Sequence, residues 1–130
     1  MYDADIKICM IVDDSPVIRK VANRILGDFG YRIVEMESGA ATLERCSSEL
    51  PHAMLLDWKL GDMDGHELLA TLMARPMARK PHIVYATTVF DRDDISQAIT
   101  NGADDFIMKP FTRLTLQDKF ASFARRPLVA

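Results

Sequence analysis

The sequence predicts an α/β fold, a doubly wound parallel sheet of five strands with five helices. Three observations predict it. Short apolar runs rich in β-branched residues recur at 7–12, 31–36, 54–56, 83–86 and 105–108. The runs are continuous rather than alternating, as in strands covered on both faces. Between them lie stretches with helical spacing of apolar residues, so that strand and helix alternate along the chain.

The first strand, KICMIV, stops at Asp13-Asp14. Ser15 then suits a helix cap and Pro16 the first helical position. Ile18, Val21, Ile25 and Phe29 make the expected inner stripe, and Gly30 closes the helix. The second strand ends with no chemically pointed group, at Glu35-Met36-Glu37, and a helix is expected over 38–48. The third strand lies in AMLLDWK and ends at Asp57; a helix over 66–73 follows, with Leu68, Leu69 and Leu72 facing inward. Segment 74–81 has two prolines with Arg75, Arg79 and Lys80 and reads as a surface loop. The fourth strand, HIVYATT, ends at Thr87-Thr88. Asp91, Asp93 and Asp94 favour the positive end of a helix over 91–101, and Gly102 terminates it. The fifth strand ends at Lys109-Pro110. It leads to a helix over 112–124, with Leu116, Phe120 and Phe123 on one face.

At 130 residues the chain suits a single domain spanning 1–130. A net charge of −3 gives no general attraction to nucleic acid or to an anionic membrane, so neither is expected as a partner. Cys9 and Cys46 show no ligand or disulfide spacing and read as core thiols of a reducing compartment. The acidic start, MYDADIK, has no apolar leader and no window is long enough to span a membrane, so a cytoplasmic protein is expected. His52, His66 and His82 lack metal-ligand spacing and are expected to flank elements; Asp104-Asp105 bounds the fifth strand, and Arg125-Arg126 reads as a solvated helix end.

In such sheets ligands bind beyond the carboxyl ends of the strands. Three carboxylates (Asp13, Asp14, Asp57), the Thr87 hydroxyl and the Lys109 ammonium all belong to that rim. Taken singly, an Asp after a strand is a turn former, the threonine a strand-end hydroxyl and the lysine a solvated loop residue. Taken together they point to chemistry. Two like charges about 4 Å apart repel by about 4 kcal/mol at an effective dielectric of about 20. A hard dication relieves that repulsion, and few protein oxygens completed by water suit Mg²⁺. Lys109 then has the role of a point charge for a phosphoryl group.

The segments IVDDSPVIRK, LLDWKLGDMDGHELL, IVYATT and NGADDFIMKPF, in this order, resemble the receiver domain of two-component response regulators, in particular the stand-alone chemotaxis type. The resemblance implies a flavodoxin-like fold with Asp57 as phosphoacceptor. It implies Mg²⁺ held by Asp13, Asp14, Asp57 and the Lys59 backbone carbonyl. Thr87 and Lys109 would attend the phosphoryl group, Thr87 and Phe106 would form the switch, and the Lys109-Pro110 bond would be cis. A histidine kinase or histidine phosphotransfer protein would donate. The face of the fourth helix, fifth strand and fifth helix would meet a downstream protein, with no effector domain and no catalysis beyond the domain's own phosphorylation and dephosphorylation. Gly61 departs from the usual proline four residues after the phosphoacceptor, and Phe106 from the commoner tyrosine. Lys59 and Val89 occupy positions that influence hydrolysis in the family. Two alternatives stand beside this: a pseudo-receiver that is never phosphorylated, and a phosphotransferase of the haloacid-dehalogenase type. The latter expects an Asp two residues after the nucleophile, where this chain has Lys59.

Overall fold

Each helix begins where a side-chain oxygen takes up an N–H that the helix leaves unpaired. Ser15 does so for α1 (Pro16–Asp28), and Pro16 occupies its first turn. Ser38 caps α2 (Gly39–Ser48), Asp64 caps α3 (Gly65–Met73), Asp91 caps α4 (Arg92–Thr100) and Thr112 caps α5 (Arg113–Arg125). Beyond α1 and α4 the chain reverses at Gly30 and Gly102, with φ of 102° and 124°, a region that side chains disfavour. These features come from a computed structural model that describes residues 6–128. The acidic opening 1–5, on which part of the leaderless reading rests, lies outside the described residues.

Strands β1 (Ile8–Val12), β2 (Arg32–Met36), β3 (Ala53–Asp57), β4 (His82–Thr87) and β5 (Asp105–Met108) form one parallel sheet in the order β2-β1-β3-β4-β5. After β1 the chain winds outward to β2, then crosses back to β3 on the other side of β1. The crevice of such a sheet lies at that reversal. The register pairs Val12 with Leu56, so the next residues, Asp13 and Asp57, emerge side by side. Thr87 pairs with Met108, which brings Lys109 out beside them.

Alternate strand residues feed two cores. Met10, Val12, Met54, Leu56, Ile83 and Tyr85 pack with Leu68, Leu69 and Leu72 of α3, and with residues of α2 and α4. Cys9, Ile11, Leu55, Val84 and Ile107 pack with Leu26 of α1 and with Leu116 and Phe120 of α5. The inner stripe expected for α1 needs correction. Val21 is exposed, while Ala22 and Leu26 are buried and Ile18, Ile25 and Phe29 half-buried. Ala22 and Leu26, four residues apart, share the sheet-facing side, and the helical turn carries Val21 away from it. Both thiols are buried and unpaired, and burial pushes each above its usual value, leaving little reactive thiolate. Segment 74–81 is a loop, pinned by Arg75 on the Leu43 carbonyl and by Arg79 on those of Leu50 and Pro51. Among the described residues no helix is long and apolar enough to cross a membrane.

Candidate functional site

The turn after β1 sets the first carboxylate. The Asp13 amide donates to the Met36 carbonyl (3.1 Å), and its Oδ1 accepts from the Ser15 amide (2.9 Å). Arg19 braces the same turn, donating to the Asp13 carbonyl at 2.7 Å and to Glu35 at 3.1 Å. The Lys109 ammonium bridges Asp13 Oδ2 (2.9 Å) and Asp57 Oδ1 (3.0 Å). Their side chains are 12%, 5% and 5% exposed, so the bridge is shielded from water. Asp14 is exposed, yet one carboxylate oxygen each from Asp13, Asp14 and Asp57 lies within 4.8 Å of the others.

Burial pushes the Asp57 carboxyl above the usual carboxylate value; the Asp13 and Asp14 charges add to this, and the bond from Lys109 opposes it. For Lys109, burial works against the ammonium. The hydrogen bonds and charges of Asp13 and Asp57 outweigh it and hold the group above the usual lysine value. Three carboxylates thus face one ammonium. The excess negative charge, all on oxygen donors, fits a hard divalent cation and not a soft one.

The loop leaving β3 is well anchored. Trp58 donates to the Ala86 carbonyl (2.9 Å), Leu60 to that of Met63 (3.0 Å) and Gly65 to that of Trp58 (2.7 Å). Lys59, with its side chain exposed, forms an isolated antiparallel bridge with Asp64. The Asp62 carboxylate crosses to the start of α2, accepting from Gly39 and Ala40 at 2.9 Å each. Those bonds hold Asp62 below the usual carboxylate value. This clamp ties the loop that carries Gly61 to the start of α2. Gly65 is required for close approach: a Cβ there would lie 2.8 Å from the Asp57 carbonyl oxygen and 3.0 Å from Trp58 Cα. Sequence reasoning missed both roles; the Asp-Gly step ahead of the third helix was the available signal for Gly65.

Thr87 is buried, and its hydroxyl is turned onto its own loop, donating to the Val89 carbonyl (3.2 Å) and accepting from the Val89 amide (3.3 Å). Phe106 is half-buried, its ring 6.1 Å from that of Phe90 and 5.7 Å from the Lys119 ammonium. The Lys109-Pro110 bond is cis. His66 ties elements together: its Nε2 lies 2.6 Å from Asp94 Oδ1, while the Tyr85 hydroxyl donates to Asp94 Oδ2 at 3.1 Å, joining α3, β4 and α4. His52 accepts from the Ile8 amide, and His82 stacks on Phe123 at 4.7 Å. Asp104 accepts from the Ile83 amide and from Lys80, and Asp105 from Lys119.

Residues 9–121 match the family model described as response regulator receiver domain. The chain belongs to that family. Receiver domains are signalling modules rather than classical enzymes and typically hold Mg²⁺ in an acidic pocket. Chemotaxis protein CheY1 of Helicobacter pylori is 28% identical to this receiver domain over 112 residues, covering 85% of this chain and 90% of CheY1. The phosphate regulon transcriptional regulatory protein PhoB of Escherichia coli is 28% identical over 117 residues, 90% of this chain but 51% of PhoB, so the chain spans about half of that relative. A CheY-like receiver domain of known structure from Methanospirillum hungatei superposes with a TM-score of 0.81 at 28% identity, covering 92% of this chain and 94% of that one.

Proposed function

We propose that this receiver domain accepts a phosphoryl group on Asp57 from a histidine kinase or histidine phosphotransfer protein, and signals by contact with a downstream protein. One observation carries the reading: three carboxylates gathered within 4.8 Å, two of them bonded to the same half-buried lysine. In the transfer, an Asp57 carboxylate oxygen forms the new O–P bond as the N–P bond of the donor phosphohistidine breaks. Such transfers need placement and charge neutralisation more than covalent help from the protein. Asp13, Asp14, Asp57 and the Lys59 carbonyl would hold Mg²⁺, which neutralises phosphoryl oxygens when bound. Lys109 is placed to neutralise a further oxygen.

The readout is a shift between two states of the fold. Thr87 leaves Val89 for the phosphoryl group, and Phe106 follows into the space it vacates. The α4-β5-α5 face changes as a result, and Phe90 and Leu114, 64% and 75% exposed, give it apolar area for a partner.

Trp58 adjoins Asp57 and is the only tryptophan, so its fluorescence tests the reading. Mg²⁺ and then beryllofluoride should each change the signal saturably, and Asp57→Asn should abolish the second response. A native protein with intact circular dichroism and no response to either would overturn the proposal in favour of a receiver that takes no phosphate.

A further inference from the structure

At the pole of the sheet opposite Asp57, the loops before β1, β3 and β4 and the segment after α5 enclose a cavity of about 500 Å³. Sites for small organic ligands commonly enclose roughly 300 to 1,000 Å³. Four cationic side chains line this one: Lys7, Arg79, Lys80 and Arg126.

The two arginines are held by groups that fix geometry without cancelling charge. Arg79 donates to the carbonyls of Pro51 (2.8 Å) and Leu50 (3.0 Å), which sets the orientation of its guanidinium. Arg126 lies 5.4 Å from the centre of the Phe123 ring. Among the described residues neither arginine meets a carboxylate, whereas Lys80 is paired with Asp104 at 2.6 Å. Lys7, 4% exposed, donates to the carbonyls of Ala124 and Arg126. The remaining wall is His52 with the apolar Phe123, Pro127 and Leu128. Two arginines with donors to spare, beside an apolar wall, suit a ligand with anionic oxygens at one end and a flat apolar body at the other.

We propose that this cavity binds a phosphate-bearing small molecule of nucleotide size, its phosphate on Arg79 and Arg126 and its base against Pro127 and Leu128. The site is separate from the aspartate cluster and does not depend on phosphorylation of Asp57. Titration calorimetry of the full chain with AMP, ATP, adenosine and pyrophosphate tests it. AMP or ATP should bind saturably, more weakly at higher salt, and adenosine should not. Arg126→Gln, an exposed position where folding is not at risk, should weaken binding at least about tenfold, and Arg79→Lys should do so by removing the planar fork while keeping the charge. Asp57→Asn should leave the affinity unchanged. Absence of saturable binding by either nucleotide, affinity indifferent to Arg126→Gln, or loss in Asp57→Asn would overturn the proposal. Pyrophosphate binding as tightly as ATP would overturn the assignment of the apolar wall to a base.

Discussion

Replacing Lys109 by methionine keeps the length of the side chain and removes its charge. In the native protein the ammonium makes bonds of 2.9 Å and 3.0 Å to Asp13 and Asp57, whose side chains are 5% exposed. Breaking a buried pair by deleting one partner costs about 3–5 kcal/mol, because a charge is left uncompensated. The lysine is 12% exposed, so the lower end applies, about 3 kcal/mol. For a domain of this size that corresponds to a fall in Tm of about 10 °C.

The deficit has a signature. Asp57 is already pushed up by burial and rises further without the ammonium. A carboxyl whose folded value exceeds its unfolded one favours the fold at low pH and ceases to do so as pH rises through the folded value. The deficit of Lys109→Met should therefore be smallest near about pH 4 and full at neutral pH. Saturating Mg²⁺ should also shrink it, since a dication replaces the lost positive charge. Urea unfolding followed by circular dichroism, at both pH values and with and without Mg²⁺, measures all three. A deficit below about 1 kcal/mol, or one indifferent to both pH and Mg²⁺, would refute the compensation argument.

Gly65→Ala should cost about 1–3 kcal/mol in urea unfolding, because its Cβ meets backbone atoms of the β3 end and the buried Tyr85 ring, and the Mg²⁺ response of Trp58 should weaken with it. Gly61→Ala should instead raise stability by about 0.4–1 kcal/mol: the position has open space for a Cβ and no positive φ, so the main effect falls on the unfolded chain. Asp62→Asn should lower the urea midpoint at neutral pH. Asp62 sits below the usual carboxylate value when folded, so its contribution is present above that usual value and fades as pH falls through the folded one. The variant and the native protein should accordingly converge in acid.

The rim of the site was legible because sheet geometry turns strand ends into neighbours. Asp13, Asp57, Thr87 and Lys109 each follow or finish an apolar run, and the register brings those ends together. Helix starts were legible for a local reason, since a cap such as Ser15 bonds only three residues away. What escaped notice is non-local. Asp62 caps a helix 22 residues earlier in the chain, a pairing that no short pattern announces. The α1 stripe was misjudged at Val21 because the larger apolar residue was taken and the one-turn spacing of Ala22 and Leu26 was not. The turned-in Thr87 hydroxyl depends on backbone conformation beyond the strand, which residue types alone leave open.

The helix after β4 is fastened differently from its neighbours. Only Ile95 and Ala98 of α4 are buried, and the Asp94 carboxylate supplies the rest of the grip through a phenol and an imidazole. Sliding this helix would uncover little oily surface, and a carboxylate can exchange one donor for another while the sheet ladder stays whole. Tyr85 sits two places before Thr87, pointing to the same side of the strand. A pull on the threonine would act one rung from the ring that moors the helix, a short lever that needs no backbone unzipping.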